Sequence, residues 1–259
     1  SVTLHLEGEK ERIDKQRKYL EDGKKQVDNL LKNILPPEIG EQLKSKGYAE
    51  PRHYHTVSVL FSNFEGYSQF CEVFAPNDVV NILHTYFAQF DDIIEKHYLE
   101  KIKTIGDAYM CAGGIPIRNK SNAIDSVLAA MGMIQFIEDL KKYNKIPNLP
   151  VWDLRIGIHT GEVATGVVGK SKFAYDVWGD TVNVARYIEE NSKPGKINIS
   201  KATYEKISDY FDCESRGEIK VKKGSKIEMY FVEGLKEEYS LEGKGNIPNR
   251  KFTKLLSEI

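Results

Sequence analysis

A buried strand is predicted over Thr56-Val57-Ser58-Val59-Leu60-Phe61, where apolar and β-branched residues follow one another with little interruption. Apolar residues then recur at helical spacing over residues 77–98, which predicts one long helix. The residues expected on the inner side of this helix are Val80, Leu83, Phe87 and Ile94. A strand followed by a helix long enough to cover it indicates a domain built from a sheet and packed helices.

The rest of the chain continues this alternation. A hairpin is predicted with its turn at Gly106-Asp107, and the tail at 239–259, with its glycines and many charges, is expected to be loosely ordered. The other predicted elements are a helix at 119–143, strands at 154–159 and 161–168, a helix at 181–191, a strand at 197–199, a helix at 202–207 and strands around 218–221 and 228–232. This order predicts an α+β fold with an antiparallel sheet whose one face is covered by helices.

A heptad repeat runs through the first part of the chain. Its a positions are Ile13, Leu20, Val27 and Ile34. The d positions become apolar only at Leu30, so the pattern predicts a weak parallel coiled coil that is firmest near its end; one amphipathic helix lying on its own domain is the alternative. Pro36-Pro37 ends this helix, and a short helix is predicted at 38–46 before Gly47. Since the chain begins within a predicted helix, we expect an upstream sensor or membrane segment to be absent from it.

Composition and charge disfavour several classes of protein. The 259 residues include 37 Lys or Arg and 38 Asp or Glu, a net charge of -1, so no basic field favours nucleic-acid binding. No apolar run approaches the roughly 20 residues that span a bilayer, and the first ten residues lack a secretory signal. Cys71, Cys111 and Cys213 fit reduced, buried thiols better than a disulfide framework. We therefore expect a cytoplasmic chain, alone or as the cytoplasmic part of a membrane-attached sensor protein.

Two short motifs suggest ligand sites that their context does not support. Residues 164–171 fit a permissive phosphate-binding loop, but that loop needs a helix directly at its Lys-Ser pair, and a strand and turn are expected after Lys170-Ser171. His53 and His55 have metal-like spacing, but no third ligand lies near them in the sequence, so solvent-exposed histidines are expected instead.

Four segments together resemble the class III nucleotidyl cyclase catalytic domain, in order and in spacing. They are VSVLFSNFEGYS (57–68), KIKTIGDAYM (101–110), LRIGIHTGEV (154–163) and YDVWGDTVNVA (175–185). The resemblance implies the ferredoxin-like class III cyclase fold, with helices on one face of an antiparallel sheet. It divides the chain into a signalling coiled-coil helix with a linker helix at 1–47, a cyclase homology domain at 48–233 and a charged tail at 234–259.

The resemblance also implies a reaction and its cofactors. The family converts a nucleoside triphosphate to a 3',5'-cyclic monophosphate and pyrophosphate in signal transduction, in a dimer with sites at the subunit interface. Two divalent ions, Mg²⁺ or Mn²⁺, assist the attack of the ribose 3'-hydroxyl on the α-phosphorus. By resemblance their ligands belong at Asn63, the Phe64 backbone and Asp107. Asp107 matches, whereas the uncharged amide of Asn63 cannot act as a bridging carboxylate, so weakened metal binding is expected.

The positions that select the base are better preserved. By resemblance Lys103 and Asp176 contact the purine, and Asn183 orients the ribose and phosphates. Adenine offers an acceptor at N1 and a donor at its 6-amino group, so a Lys donor and an Asp acceptor match adenine, whereas guanine presents the reverse. The pair therefore predicts ATP as the nucleotide.

The family's transition-state arginine falls at Tyr187, four residues after Asn183. Arg186 lies one place earlier, rotated by about 100° around a helix, and is expected to point elsewhere. A tyrosine supplies neither a permanent charge nor a forked donor array, and such an arginine is worth roughly 10³ to 10⁵ in other phosphoryl-transfer enzymes. The family's Gly-Lys order is inverted at Lys223-Gly224, and Lys223 or Lys226 is expected to reach the triphosphate instead.

These departures predict an adenylyl cyclase homologue whose homodimer has weak or absent activity, because electrostatic stabilisation of the transition state is reduced. The alternative is an inactive, ATP-binding pseudocyclase module with a regulatory role, which dimerises or pairs with an intact cyclase. In such a heterodimer each site would carry one defect instead of two. A generic interaction domain unrelated to nucleotides would require the four segments to coincide by accident.

Overall fold

The computed structural model describes residues 2–143, 150–169, 173–221 and 224–259. The chain divides into two compact units, Ser1–Pro51 with Gly166–Tyr175, and Arg52–Thr165 with Asp176–Ile259. Among the described residues, no helix combines the length and the apolar character needed to cross a membrane.

The first unit contains two helices, α1 (Val2–Lys32) and α2 (Pro37–Lys46). Both predicted helices are therefore confirmed, and the break between them falls just before Pro36-Pro37, as expected. Lys44 Nζ lies 2.6 Å from Asp28 Oδ1 and joins the two helices. α2 ends at Gly47, whose φ of 79° and amide bond to the carbonyl of Leu43 form a left-handed C-cap.

The heptad side chains of α1 are exposed. Their relative exposures are 57% for Ile13, 69% for Leu20, 61% for Val27 and 65% for Ile34. An apolar seam that is exposed along one chain is what pairing with a second helix requires. The coiled coil stays a prediction.

Eight strands form one sheet across the residues that the structure describes. They are β1 (Arg52–Phe64), β2 (Leu99–Ile105), β3 (Ala108–Gly113), β4 (Leu154–Val168), β5 (Ala174–Trp178), β6 (Ile197–Ser200), β7 (Phe211–Lys220) and β8 (Lys226–Leu235). Their order is β2-β3-β1-β4-β6-β8-β7, with β5 paired to β4. The predicted α+β fold is confirmed, with two differences in detail. β4 and β6 pair in parallel, because the long connection through the helix at Asp180–Glu190 lets the chain re-enter the sheet in the same direction. That helix packs on the sheet face opposite the one that Ile156 and Ile158 occupy, so helices do not cover one face alone.

Six helices accompany the sheet in the described part of the second unit. They are α3 (Tyr67–Val73), α4 (Pro76–Lys96), α5 (Asn122–Tyr143), α6 (Asp180–Glu190), α7 (Lys201–Ile207) and α8 (Arg250–Leu256). The main core lies between one face of the sheet and α4 and α5, where Tyr86, Phe90 and Met133 are fully buried against strand residues such as Ile156 and Ile158. This core is the apolar layer that the alternation of strands and helices predicts.

Two details of the predicted elements are wrong. Val80 is 64% exposed, because the buried stripe of α4 runs through Val79, Phe87 and Ile94, and Val80 is one step of about 100° away from Val79. The two strands predicted at 154–159 and 161–168 are the single strand β4. Gly161 does not interrupt it, since a Cβ there would lie 2.5 Å from Thr181 Oγ1 and only glycine fits this contact.

The C-terminal tail is ordered, contrary to the expectation from its charges and glycines. α8 begins at the cap residue Asn249, whose side chain accepts a hydrogen bond from the amide of Phe252 at 3.0 Å. Phe252 is fully buried in the main core, with its ring 5.8 Å from that of Tyr210 and 5.6 Å from that of Tyr239. The burial of Phe252 thus attaches the otherwise polar C-terminal tail to the main core.

We expect Phe252→Ala to lower the free energy of unfolding by about 3–5 kcal/mol, because the truncation leaves a cavity in a packed aromatic cluster. Urea unfolding followed by circular dichroism measures this loss. The exposed Lys254, on the same helix, supplies the matched control, and Lys254→Ala should change the midpoint little. Equal midpoints for both variants would contradict the docking of α8.

Candidate active site

A cavity of about 310 Å³ lies between α6 and the strands β1 to β4, a volume at the lower end of small-molecule sites. Its polar lining residues include Asn63, Lys103, Arg155, Asn183, Arg186 and Glu189. Glu190 lines the cavity as well, and the three cations, Lys103, Arg155 and Arg186, are each paired with a carboxylate.

Gly157 positions α6 over the sheet. Strand alternation turns Gly157 away from the core face that Ile156 and Ile158 occupy. A Cβ at Gly157 would lie 2.1 Å from the backbone nitrogen of Glu189, so only glycine allows α6 to approach this closely. One helix therefore covers the sheet face opposite α4 and α5, and the cavity forms beside it.

The end of β1 carries the predicted metal ligands. The amide of Phe64 donates a hydrogen bond to Asp107 Oδ2 at 3.3 Å, so the structure brings the turn aspartate to the strand end. Burial raises the pKa of Asp107, while hydrogen bonds from backbone amides and the charge of Arg155 act to lower it. Asn63 lies directly opposite Arg155 in the register of β1 and β4, and side chains of such a pair share a face.

The donor chemistry at this strand end suits a hard divalent cation. Carboxylate, amide and carbonyl oxygens are the ligands that Mg²⁺ takes in proteins, and Asp107, Asn63 and the Phe64 carbonyl offer one of each. The set has only one carboxylate, and a bridge between two ions by a pair of carboxylates is not available from it.

Arg155 and Glu189 are functional-site residues that sequence reasoning missed. Arg155 donates to Glu189 Oε1 at 2.8 Å and to Glu65 Oε2 at 2.7 Å. Glu189 has only 5% of its side chain exposed, and burial raises its pKa although Arg155 acts to lower it. The available signal was a charged residue inside an apolar strand, two residues before a glycine that permits close helix packing.

Lys103 and Asp176 meet at the cavity wall. Lys103 Nζ donates to Asp176 Oδ2 at 2.5 Å, while the other oxygen of Asp176 accepts the amide of Val177 at 2.8 Å. The Asp176 side chain is 18% exposed and that of Lys103 41%. The two residues expected to contact a base are thus adjacent, a cation beside an anion.

α6 places its residues differently from the sequence expectation. Asn183 and Arg186 both line the cavity, so the expectation that Arg186 points elsewhere is wrong. Residues three apart on a helix are surface neighbours, as are residues four apart. Tyr187 instead packs against the small apolar cluster of Ile188, Val221 and Met229.

Of the two predicted triphosphate lysines, Lys226 is not among the described residues that line this cavity. Lys226 lies at the start of β8 and is paired with Glu218, with Nζ 3.3 Å from Oε2. Lys223 lies outside the residues that the structure describes.

Comparison with known proteins agrees with this architecture. Residues 49–234 match the sequence profile of the Adenylate and Guanylate cyclase catalytic domain. The chain is 36% identical over 228 residues to the receptor-type guanylate cyclase gcy-5 of Caenorhabditis elegans, a match that covers 86% of this chain and 20% of that protein. The chain therefore spans about a fifth of the length of this curated relative.

Two solved structures share the fold. The guanylate cyclase domain of RhGC from Catenaria anguillulae, in complex with GTP, is 30% identical with a TM-score of 0.67, and the match covers 71% of this chain and 100% of that one. The catalytic core of a rhodopsin-guanylyl cyclase with converted specificity, in complex with ATPαS, is 32% identical with a TM-score of 0.66, over 71% of this chain and 97% of that one. Through residues 49–234 this chain belongs to the adenylate and guanylate cyclase catalytic domain family.

Proposed function

We propose that this domain is an adenylyl cyclase homologue, which binds ATP and forms 3',5'-cyclic AMP and pyrophosphate with weak turnover as a homodimer. The observation that carries the proposal is the contact between Lys103 and Asp176 at the cavity wall. Family membership supports the cyclase reaction, and the choice of adenine depends on this pair.

The pair matches adenine by its hydrogen-bonding groups. The Lys103 ammonium has donors only and the Asp176 carboxylate has acceptors only. Adenine needs a donor at N1 and an acceptor at its 6-amino group, and guanine needs the reverse. The similar proteins named above are guanylate cyclases, and the core that was solved with ATPαS has converted specificity, so the proposal of adenine depends on Lys103 and Asp176 themselves.

The same proposal assigns roles to the other polar residues. Asp107, Asn63 and the Phe64 carbonyl would hold Mg²⁺ or Mn²⁺, which supplies charge neutralisation of the triphosphate and a lower pKa for the attacking hydroxyl. Asn183 orients the ribose and phosphates, and a triphosphate contact from Lys223 or Lys226 stays a prediction from the sequence alone. Arg186 supplies positive charge at the cavity, where Glu190 holds it through an ion pair of 3.3 Å.

A second candidate function is a regulatory ATP-binding module. It is favoured by the position of Tyr187, which lies in an apolar cluster where the family has its transition-state arginine. Loss of one carboxylate and of this arginine reduces the electrostatic stabilisation on which such catalysis depends. In this form the chain would dimerise, or pair with an intact cyclase so that each composite site carries a single defect.

Binding and turnover measured side by side distinguish the two candidates. We expect the purified chain with Mn²⁺ to bind a non-cleavable ATP analogue at least about tenfold more tightly than the matching GTP analogue, and to release cyclic AMP and pyrophosphate slowly. Binding without product favours the regulatory module. Tighter binding of the GTP analogue, or formation of cyclic GMP in preference to cyclic AMP, would overturn the assignment of Lys103 and Asp176.

A further inference from the structure

A second cluster of potential ligands lies on the opposite end of β1 from Asn63. His53 Nε2 is 3.6 Å from Glu162 Oε2, and His55 Nδ1 is 3.2 Å from Glu162 Oε1. The three ligand atoms lie within 4.8 Å of one another. The expectation that His53 and His55 have no third ligand nearby is therefore wrong, because Glu162 reaches them from the neighbouring strand.

The backbone explains why these three side chains converge. His53 is paired with Ala164 and Tyr54 with Val163, but the next pair is Val57 with Gly161. His55 and Thr56 thus both lie opposite Glu162, which is the two-against-one arrangement of a β-bulge. His55 comes directly across from Glu162, while His53, two residues earlier on the same face, lies diagonally across from it.

The spacing suits a small divalent ion with nitrogen and oxygen ligands. A tetrahedral Zn²⁺ with bonds of about 2.1 Å separates its ligand atoms by roughly 3.4 Å. Each imidazole nitrogen lies about that far from a different oxygen of Glu162, and the three ligand atoms lie within 4.8 Å of one another, so an ion would draw them slightly closer together. Two imidazoles and one carboxylate form a known donor set for zinc sites that keep a fourth position open. Imidazole favours Zn²⁺ and its transition-metal neighbours over Mg²⁺, which prefers oxygen ligands alone.

Neighbouring groups hold the cluster in place. Thr181 Oγ1 donates to the carbonyl of Glu162 at 2.7 Å, and Arg118 Nη2 donates to the carbonyl of His53 at 2.9 Å. The fixed backbone reduces the ordering that ion binding requires.

We infer that His53, His55 and Glu162 form a binding site for a Zn²⁺-class divalent cation, separate from the nucleotide cavity. His53 and Asn63 are ten residues apart on one strand, on the order of 30 Å at the rise of extended chain. The inference is independent of the proposed cyclase activity. The Thr181 bond also connects the site to the first turn of α6, the helix that carries Asn183.

Calorimetric titration of the full chain with zinc chloride, in a buffer with excess Mg²⁺ to occupy oxygen-only sites, tests the inference. We expect one equivalent of zinc to bind. His53→Gln and Glu162→Gln should each weaken binding by at least about tenfold, as removal of one ligand does. His84→Gln is the matched control, since His84 is exposed on α4 and lies outside the cluster, and it should leave binding unchanged.

Cobalt binding by the unaltered chain gives a second readout that needs no variant. Co²⁺ bound by nitrogen and oxygen ligands gives visible absorption bands only. A thiolate ligand such as the exposed Cys71 would add a sulfur-to-metal charge-transfer band. Nitrogen and oxygen coordination supports the site. Absence of zinc binding, unchanged binding in the His53→Gln variant, or a thiolate band would each overturn it.

Discussion

The double variant Asn63→Asp with Tyr187→Arg should form cyclic AMP at least about 10³-fold faster than the unaltered chain, and far faster than either single variant. One change restores a second carboxylate at the strand end beside Asp107, and the other restores a charged, forked donor on α6. Both act on the same phosphoryl transition state, so their effects are expected to reinforce each other rather than add. The rate of cyclic AMP formation from ATP with Mn²⁺ measures the gain.

The surroundings of Asn63 favour an ionised carboxylate at this position. Asn63 lies opposite Arg155 in the strand register, and Arg155 is fixed by Glu189 and Glu65. A nearby guanidinium lowers the pKa of a carboxyl group, so a carboxylate introduced at position 63 should be charged at neutral pH. At position 187 the aliphatic part of an arginine can replace the tyrosine ring against Ile188, with its charged end extended outward.

One control and two possible outcomes decide how the gain in activity arises. Asp107→Asn added to the double variant should remove it, because one of the two carboxylates is lost again. A full gain from Asn63→Asp alone would show that Arg186, which already lines the cavity, supplies the charge, and would contradict the role given to position 187. An inert double variant that still binds ATP and metal would refute the assignment of both positions.

Local patterns in the sequence predict most of the elements correctly, because their periodicity depends on nearby residues. The hairpin around Gly106-Asp107 and the helices α2 and α6 occur where the pattern places them. Long-range packing accounts for the predictions that the structure contradicts. The local signal in the tail is short, with Phe252 and Leu256 at helical spacing after Asn249, and the burial of Phe252 depends on Tyr210 and Tyr239, which come from elsewhere in the chain.

The candidate active site also contains contacts that the sequence predicts and contacts that depend on long-range packing. The adjacency of Lys103 and Asp176, which are 73 residues apart, was predictable only through the four segments that resemble the family. Arg155 with Glu189, and Glu162 with His55, are also pairs of residues that are distant in the sequence. No sequence motif indicates which residue each of them contacts. Their contacts follow from strand register, from a bulge and from the space above Gly157, none of which can be read from one sequence without the sheet order.

Exchanging the base-contacting pair should reverse the nucleotide preference. Lys103→Glu together with Asp176→Asn replaces the donor by an acceptor and the acceptor by a group that can donate. Guanine presents a donor at N1 and an acceptor at O6, so we expect the ratio of ATP-analogue to GTP-analogue affinity to fall by about 10³-fold, since a site built on hydrogen bonds strongly rejects the mismatched base. Competition binding with the two analogues measures this ratio without requiring turnover.

The structure explains why the two changes belong together. Lys103 and Asp176 are in contact at 2.5 Å, so Lys103→Glu alone would place two carboxylates side by side, and their repulsion would disturb the wall whatever base is bound. Asn at position 176 avoids this repulsion, and its amide oxygen can still accept the hydrogen bond from Val177 that Asp176 accepts at 2.8 Å. The double variant should therefore bind nucleotide more tightly than Lys103→Glu alone.

Lys101→Glu is the control for the charge reversal in Lys103→Glu, while the second change of the double variant, Asp176→Asn, removes one negative charge. Lys101 lies on the same strand as Lys103 but pairs with Asp91, with Nζ 2.8 Å from the carboxylate, and it is not among the residues lining the cavity. The same charge reversal at position 101 should weaken both analogues to a similar, small extent and leave their ratio unchanged. If the ratio moves equally in the Lys101 variant and in the double variant, long-range charge sets the preference. A shift confined to positions 103 and 176 means that direct hydrogen bonds to the base determine which nucleotide this cyclase domain takes.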